Sequence, residues 1–250
     1  MISILIIGNE ILSAQIEETN LKHMLRELAI AGYAVDEVRM VRDDREVIAA
    51  AIRELSRNSR YVISSGGVGP THDDVTLEAY GEAFGSELYL HPDLEAGIRK
   101  YYGDRITAAA LRLARVPRNT ELVYAGSSKW PIIKVENCFV LPGLPEIFVK
   151  KLEGVIQVLP SVPRRYYAEL LTSAEEGVFA GELHAFQAQF PQIEIGSYPR
   201  FDQSHHAAKV TLKGNDVEAL DRLFNLLTKY FTRSQSLVAS SAPEPYRPNN

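Results

Sequence analysis

The feature that most constrains this chain is a glycine-rich stretch set between two regular elements. Tyr61-Val62-Ile63-Ser64 reads as a short buried strand, and Ser65-Gly66-Gly67-Val68-Gly69-Pro70-Thr71-His72-Asp73-Asp74 follows it. A helical run from about Thr76 to Phe84 comes next. A strand that ends in glycines and opens into a helix is a βα turn, and ligands of open α/β sheets gather at the carboxyl ends of the strands. Glycines let such a turn fold sharply and let its backbone approach a ligand. The freed N–H groups and the positive end of the following helix suit an anion. The stretch is neither the dinucleotide Gly-x-Gly-x-x-Gly nor a P-loop, since no Gly-Lys-Ser/Thr follows. The glycines alone also fit a plain tight turn capped by Asp73 and Thr76.

The flanking pattern repeats the same alternation. Ile2 to Ile7 reads as a buried first strand that meets Asn9 and Glu10 at once, unlike a signal peptide. Leu21, Met24, Leu25 and Leu28 fall at helical spacing, Thr19 or Asn20 can cap that helix, and Gly32 fits its end. A strand around Val35 to Val41 precedes Asp43-Asp44 and a helix carrying Val47, Ile48, Ala51, Ile52 and Leu55. This alternation predicts a mostly parallel sheet with helices on both faces. His91 to Arg115 reads as helical with a break near Gly103-Asp104, two or three short strands lie between Glu121 and Leu141, and a helix runs from about Ile147 to Val158.

Pro160 and Pro163 flank a linker, after which the pattern restarts as strand, helix, strand, strand, helix. The expected organisation is an α/β domain over 1–160, a small α+β domain over 161–233, and a disordered polar tail over 234–250. No run approaches about 20 apolar residues, so no membrane span is expected. The net charge of −5 provides no basic field for a nucleic-acid backbone. The one cysteine, Cys138, lies in the apolar run Cys138-Phe139-Val140-Leu141 and reads as a buried structural thiol. A cytoplasmic location is the expectation that follows.

Acidic residues collect at the predicted strand ends. Glu10 follows the first strand, Asp43-Asp44 the second, and Asp73-Asp74 the glycine stretch. Carboxylates beside a phosphate cradle repel it unless a cation intervenes, and hard divalent ions such as Mg²⁺ and Mn²⁺ take carboxylate and phosphate oxygens together. The competing reading is helix capping, which suits Asp43 or Asp44 and Asp73. His72 is either a phosphate contact or an exposed loop histidine. His205-His206, on opposite faces of a strand, read as surface residues. Trp130-Pro131 reads as packing, with base stacking as the alternative. Arg42, Arg45 and the arginines of 112–118 read as solvated.

Two motifs carry a family resemblance. Gly8-Asn9-Glu10-Ile11-Leu12-Ser13 with Glu18-Thr19-Asn20, and the stretch from Ser65 to Thr76, resemble the motifs of the molybdopterin-binding fold as they occur in CinA-type proteins, over residues 1 to about 158. Leu141-Pro142-Gly143-Leu144-Pro145-Glu146 and Ile195-Gly196-Ser197-Tyr198-Pro199 are similar to the molybdopterin-binding-like region of eukaryotic FAD synthases, to about Phe231. The chain departs from CinA-type proteins at Ala14, where glycine is usual, and in Tyr124–Pro131, which replaces their second loop.

The resemblance implies a Mog-like three-layer α/β/α domain, often oligomeric, most simply a homodimer. It also implies cleavage of a diphosphate, as in ADP-ribose or FAD, with Mg, Mn or Co. Asp74 and Asp43 are then the expected catalytic residues, and Asp74, Asp73 and Asp43 the metal ligands. Gly66, Gly67, Gly69, Thr71, His72, Glu10, Asn20 and Gly143 are the expected ligand contacts. The rival readings are a molybdopterin-binding or adenylylating protein and a non-catalytic nucleotide sensor. The deamidase domain of full CinA proteins and the reductase-like domain of FAD synthases have no counterpart here, so neither pyridine-nucleotide deamidation nor FAD synthesis is expected.

Overall fold

The computed structural model describes residues 1–200 and 207–247. The chain divides into two compact units, Met1–Leu28 with Tyr33–Pro160, and Ala29–Gly32 with Ser161–Asn250.

The first unit is built on β1 (Ile2–Ile7), which is buried along its whole length. A single helical turn, α1 (Asn9–Leu12), and α2 (Asn20–Ile30) lead to β2 (Val35–Val41). Then follow α3 (Arg45–Asn58), β3 (Tyr61–Ser65) and α4 (Thr76–Phe84). β4 (Leu88–Leu90), α5 (Pro92–Tyr102), α6 (Ala108–Arg112) and β5 (Arg115–Pro117) form a side excursion. The unit closes with β6 (Thr120–Val123), β7 (Ile132–Val135), β8 (Cys138–Leu141) and α7 (Pro145–Val158).

Six strands make one sheet in the order β2-β1-β3-β8-β7-β6. β2, β1, β3 and β8 run parallel, while β7 and β6 are antiparallel additions. Alternate residues of β1 feed opposite cores, as strand geometry requires. Ile2, Ile4 and Ile6 pack with Met24 and Leu28 of α2 and Phe148, Leu152 and Val155 of α7. Leu5 and Ile7 pack with Ile48, Ile52 and Leu55 of α3 and Tyr80 of α4. Each such side chain, fully buried, is worth about 1.5–3 kcal/mol. This is the expected three-layer α/β/α arrangement, and it brings four parallel strand ends to one edge.

The expected helical stretch over His91–Arg115, with its break near Gly103-Asp104, is found as α5 and α6, and the short strands β4 and β5 that flank it are what the sequence reading lacks. β4 and β5 pair antiparallel as a small ribbon beside α4, and a 3-10 turn over Gly103–Arg105 separates α5 from α6. Strands of three residues are too short to display an alternating period, so the sequence shows only the helices between them.

The second unit contains β9 (Tyr166–Thr172), α8 (Glu176–Gln189), β10 (Glu194–Pro199), β11 (Ala208–Gly214), α9 (Val217–Arg233) and β12 (Leu237–Pro245). Its antiparallel sheet has the order β10-β11-β9-β12. Ala168, Leu170, Val210 and Leu212 form one side of its core, against Phe179 of α8 and Leu220, Leu223, Leu227 and Phe231 of α9. β12 corrects the expected disordered tail. Its residues are nearly all small, polar or proline and largely exposed, so no apolar alternation announces it. It is held by backbone pairing to β9, with two register shifts. His205 and His206 lie outside the described residues.

Candidate functional site

The site lies where the parallel strands of the first unit end. Gly66 follows β3 with φ of +111°, and Gly67 has φ of +63°, a conformation that glycine adopts without strain. The Gly66 N–H donates to the Leu141 carbonyl at 3.2 Å. Thr76 Oγ1 donates to the Gly66 carbonyl at 3.0 Å, and the Thr76 N–H to the Gly67 carbonyl at 3.1 Å. Asn20, buried at the start of α2, donates from Nδ2 to the Gly143 carbonyl at 2.7 Å and to Ser65 Oγ at 3.4 Å. One amide thus ties together the ends of β3 and β8. Its burial and its position opening an apolar-phased helix are what the motif Glu18-Thr19-Asn20 encodes.

A cleft of about 720 Å³ opens over these turns. Glu10, Asn20, Gly66, Gly67, Gly69, Asp74 and Gly143 line it, together with Val68, Pro70 and Tyr102. The remaining sequence-derived residues sit elsewhere. Thr71 donates both its N–H, at 2.8 Å, and its hydroxyl to Asp74 Oδ2, so those groups serve the loop itself. The His72 side chain is 98% exposed. Asp73 is exposed and does not line the cleft. Nor does Asp73 cap the following helix: the N-cap of α4 is Val75, with no side-chain cap.

The Asp43-Asp44 pair separates into two roles. Asp44 caps α3, accepting from the Glu46 and Val47 N–H groups, and these bonds with Arg42 hold its carboxyl below the ordinary range. Asp43 turns the other way. It accepts the Asn9 N–H at 2.7 Å and returns its own N–H to Asn9 Oδ1 at 3.3 Å, joining the ends of β1 and β2. Its other oxygen is 3.3 Å from where a Gly67 side chain would begin. Burial pushes the Asp43 carboxyl up, and the Asn9 N–H only partly opposes this. The charges of Glu10, Asp73 and Asp74 push it further up. Asp43, at the end of β2, therefore feels three other acids, which follow β1 and β3. Among the described residues, no three His, Cys, Asp or Glu side chains form a ready metal cage.

Arg112 corrects the reading of the arginines of 112–118 as solvated. Its Nη1 donates to the Thr71 carbonyl at 2.6 Å, and its Nη2 to the Asp74 carbonyl at 3.2 Å. Nη2 also lies 3.5 Å from Glu78 Oε1. The fork clamps the acidic end of the loop from α6, a long-range contact with no local sequence signal. Arg112→Ala is expected to weaken ligand binding at the cleft about tenfold through a looser loop, and Arg112→Lys to rescue little, since an ammonium lacks the planar fork. Calorimetric titration with ADP-ribose checks both.

Comparisons with known proteins agree with this architecture. The model of the probable molybdopterin-binding domain matches residues 3–163, and that of the FAD synthase middle domain matches 164–238. The chain belongs to the molybdopterin-binding domain family. A protein of Archaeoglobus fulgidus is 31% identical over 198 residues, covering 79% of this chain and 85% of its own. A probable FAD synthase of Caenorhabditis elegans is 25% identical over 252 residues, covering 90% of this chain and 49% of its own, so the chain spans about half of that relative. Among solved structures, the CinA protein of Thermoplasma acidophilum, described as of unknown function, superposes with a TM-score of 0.55 at 33% identity. It covers 60% of this chain and 92% of its own. No helix among the described residues is long and apolar enough to cross a membrane.

Cys138 and Lys151 are titratable groups buried in this molybdopterin-binding domain, and burial acts on each. Cys138 is fully buried, and burial pushes its thiol up to about 12, which makes it an inert packing group. Lys151, on the inner stripe of α7 with Phe148, Leu152 and Val155, is nine-tenths buried. Its Nζ donates to the Trp130 carbonyl at 3.4 Å and to the Pro131 carbonyl. Burial pushes its ammonium from 10.5 down to about 8. The unfolded chain therefore binds more protons between those pH values, and stability should rise with pH across that window. The cost at pH 7 is about 3 kcal/mol. Lys151→Met removes it but orphans the Pro131 carbonyl, at about 1–3 kcal/mol. The Trp130 carbonyl keeps the Ser128 hydroxyl at 3.0 Å. The expected net is a gain of about 1 kcal/mol at pH 7. The variant should also lose the rise above pH 8, as urea unfolding at both ends of the window would show.

Proposed function

We propose that this protein hydrolyses the diphosphate bond of a nucleoside-diphosphate-linked compound, such as ADP-ribose or FAD, with a divalent cation. One observation carries the reading: two carboxylates, Asp74 and Glu10, line the same cleft as the glycine turns, and their charges, with that of Asp73, reach Asp43. An anion there needs a cation between it and those acids. Mg²⁺-class ions suit the site, because they typically take one or two protein carboxylates and complete their shell with water and phosphate oxygens. Asp74 and Asp43 would hold the cation, with Asp73 close by. When bound, such an ion polarises phosphorus and lowers the pKa of water.

The chain's own residues supply the rest. The Gly66–Gly69 backbone receives the phosphates, Asn20 keeps the β3 and β8 ends in register, and Asn9 aims Asp43. The raised carboxyl of Asp43 must lose its proton before it can take a cation, so activity should fall as pH drops through that elevated value. Incubation with ADP-ribose or FAD and Mn²⁺, followed by chromatography, tests the proposal. Metal-dependent AMP release is the expected result, abolished by a chelator. Pterin that co-purifies without any turnover would favour the molybdopterin-binding reading instead, and nucleotide binding without turnover a sensor. A homodimer is the assembly we propose, and light scattering giving about 28 kDa at micromolar concentration would overturn it.

A further inference from the structure

A second cavity adjoins the phosphate cleft. Val68, Tyr102, Leu113, Pro142 and Ile147 line both. The second measures about 360 Å³, and its walls are apolar and aromatic apart from Lys151. Trp130 forms one wall. Its indole lies against α5 at Gly97, where even a methyl group would come within 2.8 Å of the ring. Tyr101 meets that indole edge-on at 6.3 Å, and Tyr102 meets Tyr101 edge-on at 5.1 Å.

Lys151 is out of place in such surroundings. Lysine is rarely this buried without an ion pair, and no acidic partner is found for it among the described residues. An ammonium has three N–H groups. Two go to the carbonyls of Trp130 and Pro131, and the third has no partner among the described residues. An apolar cavity, an aromatic wall at Trp130 and one spare buried donor form a complementary set. It suits a planar ring with hydrogen-bond acceptors on its edge. Ligand sites of this kind are mostly apolar, with a few placed polar groups that fix orientation.

We propose that this cavity holds the planar nitrogen heterocycle of the ligand, with Trp130 as its stacking wall and Lys151 Nζ donating to a ring carbonyl or ring nitrogen. The proposal rests on the reading that the adjoining cleft takes the phosphates of a nucleotide. It makes Lys151 and Trp130 specificity-determining residues rather than catalytic ones, and explains why a costly buried cation stands on the inner stripe of α7.

Trp130 is the only tryptophan in the chain, so its emission reports on the cavity directly. The full chain is titrated with AMP, FMN and ribose 5-phosphate by calorimetry, and with AMP by tryptophan fluorescence. AMP and FMN should bind about tenfold or more tightly than ribose 5-phosphate, since stacking and one charged hydrogen bond each carry at least that factor. AMP should shift Trp130 emission. Lys151→Met should erase most of the advantage and leave ribose 5-phosphate affinity unchanged. Gly97→Ala, which displaces the indole without touching the lysine, should do the same, and melting curves verify that both variants are folded. Equal affinities for the three ligands, no binding of AMP or FMN, or unmoved emission would overturn the proposal. The hydrolase reading fails separately. If no AMP is released from ADP-ribose while the heterocycle advantage persists, only that reading falls. If hydrolysis proceeds with the same KM in Lys151→Met, only the cavity assignment falls.

Discussion

Asp74→Asn is expected to lower turnover of a diphosphate substrate about a hundredfold or more, because a bound cation supplies several kcal/mol of transition-state stabilisation and each 1.36 kcal/mol is tenfold in rate. The fold should survive. Asp74 Oδ2 accepts the Thr71 N–H and hydroxyl, and an asparagine carbonyl can accept both. What disappears is the charge. Asp73→Asn provides the contrast. Asp73 is exposed, lies outside the cleft lining and does not cap α4, so its loss should change neither turnover nor melting much. Parallel metal titrations and melting curves on the two variants decide the assignment. If Asp74→Asn keeps full activity and metal affinity but melts earlier, Asp74 is a loop staple, and the cation belongs to Asp43.

The strand-end acids are legible from the apolar runs that precede them, because a buried parallel strand is a short uninterrupted apolar stretch. Their division of labour is not. Asp43 and Asp44 are adjacent and identical in chemistry, yet one caps α3 and the other bonds Asn9, thirty-four positions away in the chain. Arg112 is a similar case, since its partners Thr71 and Asp74 belong to a loop that only tertiary folding brings to α6. Lys151 does leave a local trace. It falls between Phe148 and Val155 at the spacing of the buried stripe of α7, and a lysine in that phase is an anomaly of the amino-acid pattern itself. β12 leaves none, because backbone pairing does not need a side-chain pattern.

Gly66→Ala is expected to be the most damaging single substitution in the loop, at about 4 kcal/mol, combining backbone strain with a steric overlap that only main-chain movement can relieve. Gly66 sits at φ of +111°, and a Cβ there would run into the Ile7 carbonyl at the end of β1. Gly67 and Gly69 are similarly constrained: their side chains would meet Thr76 Oγ1 and the Asp74 carboxylate. These glycines therefore let the loop close on its own strand, helix and acid, and the blocked approach of a ligand is not their main reason for being glycine. Gly143 is different. Only the Gly66 Cα lies within 4 Å of its would-be Cβ, at an ordinary 3.6 Å, and it lines the cleft. Gly143→Ala should therefore stay within about 0.5 kcal/mol of the parent in urea unfolding, as substitutions away from such constraints usually do. It should still weaken phosphate binding, because its methyl group enters the cleft. If Gly66→Ala unfolds at the parent's urea concentration, the loop can relax away from β1, and the rigidity assigned to this turn is wrong.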